Sequence, residues 1–257
     1  LIKFQNANIE ISCEMIKDDH DYVGHKNLEI ISSVSNQFNN WIYEKMVGRL
    51  RGGILELGSG LGVFSEKIVR DMGTSEIILT DKSLSYLNNL EKKFFNRTNV
   101  TVNKLDLECI TDYQKIGYNK FDTIVAINVL EHVKNDDFVF EQLFRMLRKN
   151  GTVILLVPSY KFLYNHIDLE IGHQRRYTKK ELQTKIQKSQ FVIKEIQFFN
   201  LAGILGWYIN GNLLQKSGLS TEAMTLFDHL VPFWKFLDHI TFNKIGLSII
   251  SYLSKLD

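Results

Sequence analysis

Ile54-Leu55-Glu56-Leu57-Gly58-Ser59-Gly60-Leu61-Gly62 decides the fold. Four residues of strand character run into a turn with three glycines, and a helical pattern follows from Val63 to Arg70. Glycine at a strand-to-helix turn lets the backbone approach a ligand where a Cβ would collide. The spacing separates ligand types. A dinucleotide fingerprint needs glycine at position 63, where Val63 stands. A phosphate loop needs Gly-Lys-Ser/Thr, and Leu61 to Phe64 offers none. A neutral turn preceded by the acid Glu56 suits a ligand with positive sulfonium and ammonium groups better than one with phosphates.

The strand–helix alternation continues on the C-terminal side. Glu76 to Thr80, Val100 to Lys104, Phe121 to Ile127 and Thr152 to Val157 read as strands. Leu84 to Phe95 and Phe138 to Leu147 read as helices. Nearly continuous apolar strands separated by amphipathic helices predict a parallel sheet covered on both faces. Thr178-Lys179-Lys180-Glu181 has the spacing of a capping box and opens a helix to about Ser189. Phe191 to Phe199 reads as a sixth strand and Leu247 to Leu253 as a seventh.

The chain has 257 residues, 44% of them hydrophobic, and a formal charge of +2. That size accommodates one α/β domain spanning 1–257, with an N-terminal helical lid (1–50), a ligand-binding core (53–158) and a helical cap (200–246). The charge balance carries no footprint for nucleic acid, and none is expected as a partner. Cys13 and Cys109 are far apart and lack metal-ligand spacing, so two ordinary thiols in a reducing cytoplasm are expected. No apolar run reaches the ~20 residues that span a bilayer. The apolar stretches of the cap, around Leu201–Ile209 and Leu230–Leu237, read as a lid on an apolar substrate, a dimer contact, a membrane-peripheral face, or simple packing on the sheet.

Polar residues follow each strand. Asp81, beside Lys82, closes the second strand, where a carboxylate can accept bonds from both hydroxyls of a ribose; an ordinary turn cap is the alternative. Leu105-Asp106-Leu107 follows the third strand and Asn128-Val129-Leu130-Glu131-His132-Val133 the fourth. All lie at carboxyl ends, the edge on which open α/β sheets bind ligands.

Together with Leu147-Arg148-Lys149-Asn150-Gly151-Thr152, these segments resemble class I S-adenosylmethionine-dependent methyltransferases of the small-molecule (type 11/12-like) branch. The resemblance covers about residues 53 to 158. It implies a Rossmann-like α/β fold, with a seven-stranded sheet of order 3-2-1-4-5-7-6, the last strand antiparallel, and a helical insertion between strands 6 and 7. The implied cofactor is S-adenosylmethionine, with S-adenosylhomocysteine as product. By this resemblance Gly58, Ser59 and Gly60 meet the methionine part, Glu56 organises the loop, and Asp81 with Lys82 takes the ribose. Asp106 and Leu107 take the adenine, and Asn128 with Val129 the methionine end. Asn36 to Tyr43 and Gly172 to Thr178 are similar to a subgroup found with bacterial glycosyltransferases, which implies a sugar, glycan or lipid-linked acceptor and O-methylation. Nitrogen or carbon methylation of an apolar, quinone-like metabolite, and a non-catalytic cofactor-binding subunit, are the alternatives. The Asp/Asn-Pro-Pro-aromatic motif of amino-methylating DNA enzymes is missing after Asn128.

Methyl transfer is an in-line displacement from an activated donor, so alignment supplies most of the catalysis and a base serves only an acceptor that loses a proton. His132 and His173 are the catalytic candidates; His132 also reads as a helix-start residue bordering the cofactor. Tyr22, Trp41, Tyr160, His166, Arg175, Arg176 and Tyr177 are expected on the acceptor side. The two arginines would receive an anionic group, or form structural ion pairs at a helix start. His166, Asp168 and His173 are too loosely spaced for a metal cluster, and no metal is expected.

Overall fold

The computed structural model describes residues 33–215 and 220–256. Helix α1 (Asn36–Val47) leads to β1 (Ile54–Leu57), α2 (Val63–Asp71), β2 (Ile77–Asp81), α3 (Leu84–Phe94) and β3 (Val100–Lys104). Next come α4 (Ile110–Ile116), β4 (Phe121–Ile127), a 3-10 turn (Leu130–His132), α5 (Asp136–Met146) and β5 (Leu147–Pro158). After β5 stand a second 3-10 turn (Lys161–Leu163), α6 (His166–Glu170), α7 (Lys179–Lys188) and β6 (Val192–Phe199). The insertion holds α8 (Leu201–Trp207), a π-helical turn (Tyr208–Leu213), α9 (Thr221–His229) and α10 (Val231–Ile240), before β7 (Ser248–Ser254).

The seven strands form one sheet of order β3-β2-β1-β4-β5-β7-β6. Strands β1 to β5 pair in parallel, and β7 runs antiparallel to both β5 and β6, as expected from the sequence. Period-2 alternation distributes the side chains between two cores. Leu55, Leu57, Ile124, Val153 and Leu155 join Tyr113, Phe140, Leu143 and Leu182 on one face. Ile54, Ile77, Val125 and Ile154 join Trp41, Met46, Ile68 and Leu90 on the other. Glu56 shares its face with Ile54, which aims a carboxylate at the start of α2.

Some boundaries differ from those expected. Strand β5 begins at Leu147, because Leu147 already pairs with Phe121 ahead of a register shift. Helix α5 begins at Asp136 because the Asn135 side chain caps it, accepting from the Phe138 amide. Helices α4 and α6 were not anticipated; α6 is set by a capping box between Asn165 and Asp168. Cys109 is buried with its Sγ 3.1 Å from the Thr111 hydroxyl, and Cys13 lies outside the described residues.

The insertion is tied to the sheet by buried aspartates. Asp238 of α10 accepts from the amides of Asn200 and Leu201, 2.7 Å each, capping the start of α8. Asp228 of α9 accepts from the amides of Gln37 and Phe38 at 3.0 and 2.7 Å. No helix among the described residues is long and apolar enough to cross a membrane. Phe233, Phe236 and Ile240 of α10 nevertheless stay more than half exposed.

Candidate active site

The turn after β1 is built by hydrogen bonds the sequence only implied. The Ser59 amide donates to the Thr80 carbonyl and the Gly62 amide to the Ser59 carbonyl, both at 2.8 Å. Glu56 lies beneath it, wholly buried, and its Oε2 accepts from the hydroxyls of Ser59 (3.0 Å) and Ser65. Burial pushes its carboxyl up to about 7, against the pull of those hydroxyls. Gly58 (φ +64°) and Gly60 (φ +51°) both occupy the left-handed region. A Cβ on Gly58 would strike Val129 at 2.6 Å, whereas one on Gly60 would meet nothing within 4 Å. The two glycines therefore do different things: Gly58 lets the turn pack on the β4 loop, and Gly60 leaves bare backbone facing open space. A cleft of about 650 Å³, lined by Asn36, Asn39, Leu61, Val63 and Glu66 among others, opens beside the turn.

Asp81 stands where β2 ends, nearly buried, and its two oxygens bridge the neighbouring loops. Oδ2 accepts from the Gly60 amide and Oδ1 from the Ser83 amide, each at 2.9 Å. Its two oxygens can accept about four bonds between them, more than the neighbouring amides supply. Burial raises the Asp81 carboxyl above its usual range, while these amides and Lys82 pull it down. Lys82 itself is exposed. Half-buried Asp106 accepts from the Glu108 amide at 2.9 Å, and Leu107 is buried in the core beside it. Asn128 is exposed at φ +52°, a conformation asparagine tolerates, with Val129 partly buried after it. The cofactor candidates thus lie on four loops at one edge of the sheet: a carboxylate at the end of β2, an open backbone turn and a buried acid.

His132 and His173, two of the three histidines named as site candidates, meet at that edge. His132 and His173 are in edge-to-face contact, ring centroids 4.9 Å apart. His132 Nδ1 lies 3.2 Å from the Gly172 carbonyl and His173 Nδ1 2.7 Å from Asp168 Oδ1. Burial lowers the His132 imidazole to about 4, with His173 adding to the effect, so the ring is neutral near pH 7. Glu131 is fully buried beside them and burial pushes its carboxyl up to about 7. Its presence in the site went unrecognised in the sequence, where it read only as part of the segment after β4.

Comparison with known proteins agrees with this geometry. The methyltransferase domain family model matches residues 55–153, the stretch that holds all four loops. Those residues, under half of the chain, match a methyltransferase domain, and they sit in the seven-stranded sheet described above. The solved phosphoethanolamine N-methyltransferase 2 of Haemonchus contortus, in complex with S-adenosyl-L-methionine, is similar in fold, with a TM-score of 0.60 at 17% identity over 90% of this chain and 57% of that one. A SAM-dependent methyltransferase from Archaeoglobus fulgidus is similar too, with a TM-score of 0.60 at 15% identity over 89% and 99%. Among curated proteins, probable polyketide synthase 42 of Dictyostelium discoideum is 32% identical over 130 residues, which cover 43% of this chain and 5% of that protein. The chain therefore matches only a twentieth of the length of that relative.

Several residues expected on the acceptor side are instead engaged within the chain. Arg176 is buried, its Nε 2.8 and 3.0 Å from the two oxygens of Asp168, its guanidinium 4.5 Å from the Trp207 ring centre. Arg175 pairs with Asp136 at 3.1 Å and donates to the Lys134 carbonyl. Both guanidiniums pair with carboxylates of this chain, which is the structural alternative the sequence allowed. The Tyr177 hydroxyl is likewise buried, donating to Asp136 at 2.9 Å. Trp41 packs against Phe199 in the core at 4.4 Å, a structural placement instead of a substrate contact. His166 is exposed at the start of α6, apart from the His132–His173 pair. Tyr160 is half-buried and stacked on Phe198 at 5.4 Å. Tyr22 lies outside the described residues.

Proposed function

We propose that this domain binds S-adenosylmethionine and transfers its methyl group to a small-molecule acceptor. The observation that carries the reading is the pairing of Asp81 with Gly60: a buried carboxylate bonded to the one turn residue whose missing Cβ leaves open space. In this reading Asp81 takes the ribose hydroxyls, Gly58 to Gly60 face the methionine part, and Asp106 and Leu107 take the adenine. The cofactor supplies an activated methyl carbon bonded to a positive sulfur. Glu56 beneath the turn places negative charge near that sulfonium once it ionises.

The acceptor is proposed to be a hydroxyl of a sugar, glycan or lipid-linked intermediate. The cofactor would supply the methyl carbon to that oxygen, its sulfur leaving with the electron pair. The hydroxyl proton passes to Nε2 of His132, whose Nδ1 is held by the Gly172 carbonyl. His173, fixed by Asp168, orients the His132 ring. The similarity to probable polyketide synthase 42 supports a second reading, in which the acceptor is a polyketide-like carbon or oxygen.

The test is direct. S-Adenosylmethionine and S-adenosylhomocysteine should both raise the melting temperature, and radiolabelled methyl should appear in extracted glycolipids, free sugars or polyketide-like thioesters. Neither ligand shifting the melting temperature would end the proposal.

A further inference from the structure

Glu131, His132 and His173 converge just beyond the end of β4, each offering a ligating atom within 4.8 Å of the others. The Glu131 carboxylate is 0% exposed, and neither of its oxygens has a hydrogen-bond partner among the described residues. A buried carboxylate left this way is costly unless a positive charge meets it. His173 Nε2 is near, but its 3.6 Å to Oε1 is too long for a hydrogen bond.

The tautomers sharpen the point. Nδ1 of His173 faces Asp168, which Arg176 keeps charged, and a carboxylate only accepts. Nδ1 of His132 faces the Gly172 carbonyl, which also only accepts. In its neutral form each ring therefore carries its proton on Nδ1 and presents Nε2 as a bare lone pair. One ligating atom from each ring and from the unbonded carboxylate lie within 4.8 Å of one another, a spacing that a single cation can bridge.

We propose that Glu131, His132 and His173 hold a divalent transition-metal ion, zinc or a first-row neighbour, through the carboxylate and the two Nε2 atoms. Two histidines and one carboxylate are a set that leaves a coordination position open. Asp168 behind His173 and the Gly172 carbonyl behind His132 are the outer partners that fix such rings. Zinc bonds of about 2.0–2.2 Å would bring the three atoms roughly 1 Å closer together than the widest separation here. Half-buried His132 can make that movement. This set differs from His166, Asp168 and His173, since His166 is exposed and Asp168 is committed to Arg176.

The ion's role rests on the function proposed above; its binding does not. With the open position taken by the acceptor hydroxyl, the ion would lower that hydroxyl's pKa so that its proton is lost to solvent water, and His132, as a ligand, would no longer accept it.

The experiment uses the full chain, stripped of metal by a chelator and titrated with Co2+ while visible absorption is followed, with neither cofactor nor acceptor present. One equivalent should saturate a visible band, and Zn2+ should displace it. Glu131→Gln and His173→Gln should each weaken Co2+ binding about tenfold or more, with circular dichroism confirming the fold. His132→Gln, at the half-buried position, gives the same readout with the least risk to folding. No visible band in the wild-type chain would overturn the site, as would a band that all three variants keep unchanged. Co2+ binding without a melting shift from S-adenosylmethionine would sink the methyl-transfer reading alone; a melting shift without Co2+ binding would sink the metal site alone.

Discussion

Arg176 and Asp168 form an ion pair sealed from solvent, with Nε 2.8 Å from Oδ1 and the side chains 1% and 0% exposed. Asp168 also meets His173 Nδ1 and the Asn165 amide, so one carboxylate organises the whole turn after β5. Burial alone would raise its pKa, but His173 and Arg176 hold it below the usual range. Removing one member leaves an uncompensated buried charge, which costs about 3–5 kcal/mol. Arg176→Met should therefore lower the urea midpoint sharply, and Arg176→Met/Asp168→Leu should recover much of the loss. A double variant as unstable as the sum of the singles would show that the pair is not the unit that matters.

Gly58 and Gly60 should separate folding from binding. Gly58→Ala forces a Cβ into Val129, and Val129→Ala should restore part of the stability lost. Gly60→Ala meets no atom, so its stability cost should stay near 1 kcal/mol, from the left-handed backbone. Cofactor affinity should nonetheless fall about tenfold or more, because the Cβ enters the space proposed for the ligand. Calorimetric titration beside urea unfolding checks both halves; unchanged affinity would move the cofactor off the turn.

Asp81→Ala removes the proposed diol acceptor together with the anchor of the Gly60 amide. Affinity for S-adenosylhomocysteine should fall about tenfold or more, roughly the loss of one charge-assisted hydrogen bond. Asp81→Asn should lose less, since its carbonyl can still accept one bond. Equal affinity in all three proteins would rule out the ribose placement.

Much of the sheet was legible because parallel strands buried on both faces are continuous apolar runs, as Ile77 to Thr80 and Ile124 to Ile127 are. The strand-end residues could be placed for the same reason: once β1, β2 and β4 are fixed, Gly58, Asp81 and Asn128 fall on one edge. What failed needed partners distant in sequence or elements too short for periodicity. Helix α4 has only seven residues. The charge of Arg176 was visible, but its neutralisation by Asp168 was not, although Asn165-x-x-Asp168 is a capping signal that would have placed the aspartate on a helix. Glu131 gave no sign of standing against His173, because the chain brings them together across 42 residues.

Glu56 sets a pH dependence. Its carboxyl is raised from an ordinary 4.5 to about 7, so the folded chain holds that proton more tightly than the unfolded one. The associated stability is fully present below about 4.5 and is lost as the pH rises through about 7. Glu131 is raised in the same way and contributes with the same sign. In metal-free buffer the wild-type urea midpoint should fall between pH 5 and pH 8, and Glu56→Gln should flatten part of that fall. A variant with the full wild-type slope would show that Glu56 ionises freely in the folded chain.

Asp228 tests whether the insertion supports the N-terminal side of the site. Helix α1 has no cap from its own Ser35, and the orphan amides of Gln37 and Phe38 go to Asp228 of α9 instead. A carboxylate there also meets the positive end of the helix dipole. Asp228→Ala should cost about 1–2 kcal/mol, the upper range for a lost cap, and should speed amide exchange at Gln37 and Phe38. Asp228→Asn keeps one acceptor and should fall between. Because Asn36 and Asn39 of α1 line the cleft beside the glycine turn, cofactor affinity should drop with the cap while Asp81 and Gly60 remain in place. Faster exchange with unchanged affinity would confine Asp228 to stability and leave the cleft outside the cofactor's reach.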